Sequence, residues 1–193
     1  LVVPGGHTSL YPVERPGSDQ LISRTRDDAA GEAYDKVAKL LGLGYPGGPI
    51  LDRLATTGDD RGVSLPTTRL THADRNAPEL KGDLDFSFSG LKTSVLYLLP
   101  KVDITVEQTL NDVCASFQEA VVEVLVEKAV SAAKFRRVKL VAVSGGVGCN
   151  RRVRGLFAER CAAEGLELLL AQPCYSTDNA AMIAVSGARR GRP

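Results

Sequence analysis

Two glycine pairs each follow an apolar run that is typical of a buried strand. The first lies in Val3-Pro4-Gly5-Gly6-His7-Thr8 and the second in Val143-Ser144-Gly145-Gly146-Val147. Because glycine has no side chain, such a pair lets backbone N–H groups approach a phosphate or a ribose closely. A tight turn explains either pair alone, but their repetition in one chain favours a nucleotide site. Neither loop has a Walker A sequence, so a P-loop kinase is excluded.

The second glycine loop also leads into a predicted helix that begins at Arg151. The N-terminus of a helix presents unpaired N–H groups and a partial positive charge, which favour an anion such as a phosphate. Asn150 lies at this entrance and has two interpretations, a cap of the helix or a contact to the ligand.

Asp35 is the first of two aspartates placed where a carboxylate can contact a ligand. It lies in the middle of a predicted helix but off its apolar stripe. It therefore either pairs with Lys39 one turn later or accepts hydrogen bonds from the hydroxyls of a ribose. Gly47 and Gly48 follow this helix and are placed to bring backbone against the same ligand.

Asp178 is the second aspartate and lies at the start of the last predicted helix, between Thr177 and Asn179. A carboxylate at this place either caps the helix or serves as one metal ligand. The sequence has only His7 and His72, without an HxxxH or HExxH pair. A complete histidine-based metal site therefore cannot be built from this chain.

Aromatic and basic residues offer two further candidates for ligand contact. Phe86 and Phe88 alternate with serines, which favours core packing in a half-buried strand over a stacking platform for bases. A group of basic residues is either a solvated helix face or a patch for RNA phosphates. Its members are Arg136, Arg137, Lys139, Arg151, Arg152 and Arg154.

Composition limits the classes of function. The 193 residues suffice for one domain, and a formal net charge of +1 provides no overall basic field for nucleic acid. The four cysteines form no CxxC pair, which argues against a zinc ribbon, and their neighbours predict buried, reduced thiols in a cytoplasmic protein. No apolar run approaches the ~18 residues of a membrane span. The chain opens directly in a predicted strand, which indicates a fragment of a longer protein.

Alternating strands and helices must position these residues. The pattern predicts strands at 1–3, 7–13, 85–89, 138–143 and 166–171. It predicts helices at 26–41, 50–56 and 106–135, one that begins at 90, one at 151–164 and one that begins near 177. Asp27 or Asp28 is expected to cap the first helix and Gly42 to end it. This order predicts a parallel or mixed sheet covered by helices, with ligands at the carboxyl ends of its strands.

Six segments, in order and over nearly the whole chain, resemble the TsaD family of tRNA N6-adenosine threonylcarbamoyltransferases. They are GGHT at 5–8, DDAAGEAYDK at 27–36, YPGG at 45–48, DFSFSGLKT at 85–93, SGGVGCNR at 144–151 and TDNAAMIA at 177–184. The resemblance implies an actin-like (ASKHA, ribonuclease H-like) α/β lobe with a mixed sheet flanked by helices, plus a helical insertion. In this reading residues 14–135 hold the largely helical insertion and donor-binding segment. Residues 136–193 form the strand–loop–helix segment for nucleotide and metal.

The resemblance also implies an activity, its partners and a location. The threonylcarbamoyl group of threonylcarbamoyl-adenylate is transferred to the exocyclic amine of the adenine 3′ of the anticodon, in tRNAs that read codons beginning with A. A smaller actin-like paralogue and a P-loop ATPase are the implied protein partners, in the cytoplasm. No general base is identified. A related carbamoyltransferase with another acceptor, and an inactive nucleotide-binding fragment, remain alternatives.

Carried over onto this sequence, the resemblance assigns one metal ligand, Asp178, for Fe²⁺ or Zn²⁺. It implies that the donor is contacted by Val2, Val3, Pro4, Gly5, Gly6, Asp35, Gly48 and Asn150. Two departures matter. Pro4 stands where the family has a serine, which removes a hydroxyl and a backbone N–H. The HxxxH pair and the first phosphate loop of the family precede the segments matched here, so the isolated chain is expected to be inactive.

Overall fold

A computed structural model describes residues 1–15, 17–18, 20–66, 70–80 and 82–190. Two strand pairs are present, β1 (Ser9–Leu10) with β2 (Ser23–Arg24) and β3 (Leu140–Val143) with β4 (Glu167–Leu170). The α-helices in these ranges are α1 (Ala30–Leu40), α2 (Gly47–Leu54), α3 (Ser89–Leu98), α4 (Glu107–Arg136), α5 (Arg151–Ala163) and α6 (Ala180–Arg190). Short 3₁₀ turns occupy Ala55–Thr57, Leu99–Lys101, Gly146–Cys149 and Pro173–Tyr175. The α/β class is therefore confirmed.

The first residues of the chain connect the two strand pairs. β1 pairs antiparallel with β2, whereas β3 pairs parallel with β4. Val2 bridges Ser9 in the antiparallel and Ser144 in the parallel orientation. The Val2 N–H donates to the Ser9 carbonyl at 2.9 Å, and the Val3 N–H donates to the Ser144 carbonyl at 2.8 Å.

These bridges place residues 1–3 between β1 and β3, with an antiparallel bridge on one side and a parallel bridge on the other. Residues 1–3, β3 and β4 run in the same direction. Their carboxyl ends lie at one edge, where both glycine loops begin. This edge is where a ligand site is expected in an open α/β sheet.

The predicted strand at 85–89 is wrong. Phe86 forms only an isolated bridge, and α3 already begins at Ser89. Asp27 accepts hydrogen bonds from the N–H groups of Phe88 and Ser89, at 2.8 and 3.2 Å. The Asp27 side chain thus binds the N–H groups that would pair with a neighbouring strand, and a helix begins at this point instead.

The two ends of α1 test two cap predictions. α1 begins after Ala29, whose N–H donates to the Glu32 carboxylate at 3.4 Å. The prediction that Asp27 or Asp28 caps this helix is therefore wrong. The prediction for Gly42 is confirmed, because it follows the helix with φ +70°, a conformation that glycine adopts without strain.

α4 is the centre of the hydrophobic core. Its 30 residues agree with the predicted helix at 106–135 to within one residue at each end. Phe117 and Leu125 are completely buried, and α2, α3, α5 and β3 pack around this helix. A long apolar periodicity thus produced a reliable prediction.

Phe86 and Phe88 belong to the same core. Both side chains are completely buried, and their rings stack with centroids 6.1 Å apart. Their interpretation as core residues is confirmed, and their burial excludes a platform for bases.

Cysteine burial and helix composition test two compositional predictions. Cys114 and Cys161 are buried free thiols, and burial raises the pKa of Cys114 to about 12 and also raises the pKa of Cys161. Cys149 is half-buried and Cys174 is exposed, so the prediction of buried thiols is wrong for Cys174. Within the described ranges, no helix is long and apolar enough to cross a membrane.

Candidate functional site

A cavity of about 440 Å³ lies where the two glycine loops meet α1 and α2. Its size falls in the range of small-molecule sites. Its walls come from five separate parts of the chain. The lining residues are Gly5, Gly31, Tyr34, Asp35, Tyr45, Pro46, Gly48, Pro49, Asp52, Gly146, Val147, Cys149, Asn150 and Thr177.

The glycine loops pack closely against their neighbours. A Cβ atom on Gly145, which has φ +102°, would lie 2.4 Å from the Val3 carbonyl carbon. A Cβ atom on Gly31 would lie 2.6 Å from the Cα of Gly5. Only glycine fits at these two contacts, so α1 and both loops can approach one another around the cavity.

The cavity side of the loops is open. At Gly5, Gly6, Gly48 and Gly146, a Cβ atom would meet no heavy atom within 4 Å in the described part of the chain. These positions therefore leave room for a ligand to approach the backbone. The glycine pairs thus serve two purposes, because one glycine makes a close contact while others leave space.

Asp35 fastens α1 to the start of α2. Its Oδ1 accepts a hydrogen bond from the Gly47 N–H at 2.8 Å. This bond satisfies one of the N–H groups that a helix start leaves unpaired. The alternative ion pair with Lys39 is not formed among the described residues. Asp35 borders the cavity, and its second carboxylate oxygen has no recorded partner in the described ranges.

Asn150 caps α5, as one of its two interpretations predicted. Its Oδ1 accepts from the Val153 N–H at 3.0 Å, and its Nδ2 donates to the Gln118 Oε1 at 2.6 Å. The residue is buried and also borders the cavity. The N-terminus of α5, with its partial positive charge, therefore adjoins the cavity.

Sequence reasoning missed Asp52 and Tyr34. The Asp52 Oδ2 lies 3.3 Å from Arg151 Nε, and Asp52 follows Gly48 by one helical turn, a spacing that could have identified it. Tyr34 was assigned to an apolar stripe and is indeed buried, but its hydroxyl has no partner among the described residues. Burial, followed by the charges of Asp52 and Glu119, raises the pKa of Tyr34.

The remaining assigned residues lie around the cavity rather than in its lining. Val3 is completely buried beneath the first glycine loop, whereas Val2 is 39% exposed and forms the sheet bridges. Pro4 and Gly6 flank the lining residue Gly5. Asp178 is exposed and adjoins the lining residue Thr177.

Of the two interpretations of Asp178, the one as cap of the last helix is wrong. α6 begins at Ala180, and Asn179 Oδ1 accepts the Met182 N–H at 3.0 Å, which is the cap. In the described ranges, no group of three or more His, Cys, Asp or Glu side chains is placed to hold a metal ion.

The arginines near α5 do not form a free basic patch. Arg152 makes two hydrogen bonds of 2.6 Å to Glu119, and Arg151 pairs with Asp52. Arg154 donates to the carbonyls of Gly148 and Ala171, at 3.3 and 3.1 Å. These three guanidinium groups make contacts within the chain, while the Arg151 side chain remains 65% exposed, and the interpretation of the group as a patch for RNA phosphates stays a prediction.

Comparison with known proteins identifies the family of this chain. The model of the TsaD family, described as tRNA N6-adenosine threonylcarbamoyltransferase, matches residues 1–185. The enzyme of that name from Chlorobium phaeobacteroides is 51% identical over 185 residues, which are 95% of this chain and 53% of the relative. The Geobacter sulfurreducens enzyme of that name is 49% identical over 187 residues, 97% of this chain and 52% of the relative.

The chain spans about half the length of these curated relatives. The crystal structure of HypF from T. kodakarensis superposes with a TM-score of 0.53 and 18% identity, over 80% of this chain and 18% of that one. At this identity the similarity concerns the fold alone. Because the family model covers nearly all of this chain, the chain belongs to the TsaD family.

Proposed function

We propose that this chain supplies the adenylate-binding part of an enzyme that transfers a threonylcarbamoyl group from threonylcarbamoyl-adenylate to tRNA. The acceptor is the exocyclic amine of the adenine 3′ of the anticodon, in tRNAs that read codons beginning with A. One observation carries the proposal. Gly5, Asp35, Gly48 and Asn150 come from distant parts of a TsaD-family chain and border a single cavity. We further propose an actin-like fold for the lobe that holds it.

The lining suits the parts of an adenylate. The open backbone at Gly5 and Gly146, with the N-terminus of α5, provides N–H groups for the phosphate, and Arg151 pairs with the carboxylate of Asp52 beside it. Asp35 uses one oxygen on Gly47, and its other oxygen is placed to accept from the ribose hydroxyls. Val2, Val3, Pro4 and Gly6 complete the donor loop in this proposal.

In the reaction the N6 amine of adenine attacks the carbamoyl carbonyl carbon of the mixed anhydride. As the new C–N bond forms, the C–O bond to the phosphate breaks, adenylate leaves with the electron pair on its phosphate oxygen, and the amine gives up one proton to water. The contribution of this chain is to hold the donor in place, and such positioning supplies a large part of an enzymatic rate enhancement. In the transition state the phosphate of the departing adenylate lies at the N-terminus of α5, which stabilises its negative charge.

A divalent metal, Fe²⁺ or Zn²⁺, belongs to the proposal only with ligands from outside this chain. Asp178 is an exposed carboxylate without a cluster of further ligands in the described ranges. One carboxylate does not make a site for such an ion. The residues present therefore do not fit a complete metal site, and no step is assigned to a metal.

The proposed setting follows the family. tRNA is the acceptor, and the cytoplasm is the proposed location. A smaller actin-like paralogue and a P-loop ATPase are the proposed protein partners. Because Arg151, Arg152 and Arg154 are engaged within the chain, we place the main tRNA contacts outside this arginine group.

The test uses a chimera in which residues 1–185 replace the matching half of the Geobacter sulfurreducens relative. The chimera is incubated with threonylcarbamoyl-adenylate and tRNA, and the nucleosides are analysed by mass spectrometry. We expect threonylcarbamoyl-adenosine to form. A folded chimera that binds adenylate without product would favour the alternative of a nucleotide-binding fragment.

The role of Asp35 is tested in the same chimera. Asp35→Asn keeps an oxygen for the Gly47 N–H but removes the charge at the ribose. We expect the KM for the donor to rise about 10- to 100-fold, because a hydrogen bond to a charged group is worth about 1.5–3 kcal/mol. The control, Asp103→Asn, changes an exposed carboxylate outside the cavity lining and should leave KM unchanged. Equal KM values for both variants would contradict the ribose assignment.

A further inference from the structure

Gln118 is a buried amide in the middle of α4, the central apolar helix. It is 6% exposed, and its Oε1 accepts a hydrogen bond of 2.6 Å from the Asn150 Nδ2. A polar group in such a place costs stability unless it is hydrogen-bonded, and here its partner is a residue that borders the candidate adenylate cavity.

The two hydrogen bonds of Asn150 fix the orientation of its amide. Val153 presents an N–H, so the oxygen of Asn150 must face α5. The nitrogen must then face Gln118, whose carbonyl oxygen is the only end of that amide able to accept. The Val153 N–H and the Gln118 oxygen therefore require the same orientation of the Asn150 amide.

This orientation leaves one N–H of Asn150 without a partner among the residues that the structure describes. An asparagine amide has two N–H groups, and Gln118 takes one of them. Rotation about the side chain would break either the bond to Gln118 or the cap on Val153. The remaining N–H is thus held in a fixed direction on a residue of the cavity wall.

We infer that Gln118 is a positioning residue, which holds the Asn150 amide so that its free N–H can donate to an acceptor atom of the bound adenylate. The inference rests on the proposed function and adds a residue to it. Gln118 itself does not border the cavity, so its effect on the ligand must pass through Asn150. That requirement gives a sharp test.

The test is a double-mutant cycle in the chimera, with the KM for threonylcarbamoyl-adenylate and kcat as readouts. Gln118→Met keeps the length and burial of the side chain but cannot accept the hydrogen bond. Gln118→Glu keeps an acceptor. Asn150→Asp keeps the oxygen that caps α5 but removes both N–H groups. A role through Asn150 predicts that Gln118 matters only while Asn150 can donate.

We expect Gln118→Met to raise KM about 5- to 20-fold with kcat within about threefold, as for a lost hydrogen bond worth about 1–2 kcal/mol. Gln118→Glu should stay within about threefold of the parent KM, because an acceptor remains. In the Asn150→Asp background, Gln118→Met should raise KM no further. The control, Gln108→Met, lies on the same helix and outside the cavity lining, and should leave KM unchanged.

The contrary outcomes are distinct. An unchanged KM in Gln118→Met, or an equal rise in the Asn150→Asp background, would overturn the inference and leave the proposed function intact. A purely structural role would lower the melting temperature of Gln118→Met without changing the KM of the folded fraction. If the parent chimera makes no product, the same cycle is measured as AMP binding by calorimetry. Absence of AMP binding by the parent would overturn both the proposed function and this inference.

Discussion

At the scale of single residues, Asp27 shows how one carboxylate can organise a distant segment. Its Oδ1 accepts from the N–H groups of Phe88 and Ser89, and its Oδ2 accepts from the hydroxyls of Ser87 and Ser89. These donors stand at the start of α3, so Asp27 caps that helix from another part of the chain. Burial raises the pKa of Asp27, but the hydrogen bonds from Ser87, Phe88 and Ser89 outweigh it, and the net pKa is lowered.

Substitution of Asp27 should therefore have a pH-dependent effect on stability. A carboxylate with a lowered pKa in the folded state stabilises the protein above its unfolded pKa of about 4 and loses this contribution as the pH falls through the folded value. We expect Asp27→Ala to cost about 1–2 kcal/mol at pH 7, as for a lost helix cap. Urea unfolding at a series of pH values measures the difference.

Asp27→Asn separates the charge from the shape. Its disadvantage relative to the parent should shrink as the pH is lowered from 5 to 2, since the parent carboxylate then becomes protonated. Asp178→Asn is the matched control, because Asp178 is exposed and has no recorded hydrogen bond in the described ranges. A disadvantage of Asp27→Asn that stays constant across this pH range would contradict the charge-assisted cap.

Sequence reasoning at this scale succeeded where the partner is local. A cap was one of the two interpretations of Asn150, because the N–H group that donates to its side chain is only three residues away. The role of Asp27 was missed because its partners lie about 60 residues further along the chain. The contact of Gln118 with Asn150 was also missed, because only the fold brings these two residues together. At the last helix, Asn179 and not its neighbour Asp178 makes the cap, a choice that depends on one residue of register.

At the scale of elements, two helical glycines differ in the space that their surroundings leave for a side chain. Gly31 in α1 lies against the first glycine loop, where a Cβ atom would meet the Gly5 Cα at 2.6 Å. Gly155 in α5 has no heavy atom within 4 Å of an added Cβ among the described residues. Helix propensity alone favours alanine at both positions, whereas packing distinguishes them.

Replacing these two glycines by alanine should move stability in opposite directions. Gly155→Ala should stabilise the protein by about 0.5–1 kcal/mol, the gain in helix propensity. Gly31→Ala should destabilise it by about 1–3 kcal/mol, because overpacking against Gly5 outweighs the same gain. Thermal and urea unfolding give both values. Stabilisation by Gly31→Ala would show that the contact between α1 and the glycine loop is loose.

Element predictions from the sequence differ in success for a physical reason. α4 was predicted almost to the residue because its helical periodicity is repeated over 30 positions. The strand at 85–89 was wrong because its alternation covers only five residues, and the contact of Asp27 with Phe88 and Ser89 decided the backbone conformation. The cavity edge was predicted from strand order, because parallel strands end at the same side.

At the scale of the whole molecule, the sheet formed by β3 and β4 has one covered and one uncovered face. In β3, Val141 and Val143 are buried, whereas Leu140 is 47% exposed. In β4, Leu169 is 58% exposed and its neighbour Leu168 packs against the core. A groove of about 800 Å³, largely lined by apolar residues that include Leu140 and Leu169, adjoins these two strands. Contiguous apolar surface of this kind favours association.

The uncovered face should therefore make the 193-residue chain associate with itself and bind an apolar dye such as ANS. Replacing Leu140 and Leu169 together by lysine should reduce both signals, because charges then stand on the exposed side of β3 and β4. Unfolding free energy should change by less than about 1 kcal/mol, since exposed side chains contribute little to the core. Sedimentation velocity and ANS fluorescence measure the two effects.

Leu168→Lys is the matched control, because it places the same charge one residue away in the same strand. Leu168 points to the opposite face, so we expect a loss of about 2–3 kcal/mol in stability and more ANS binding rather than less. The contrast depends on the alternation of side chains in β4. Equal effects of Leu168→Lys and Leu169→Lys would mean that the two faces of this strand do not differ in burial, and unchanged association in the double variant would mean that the chain associates through another surface.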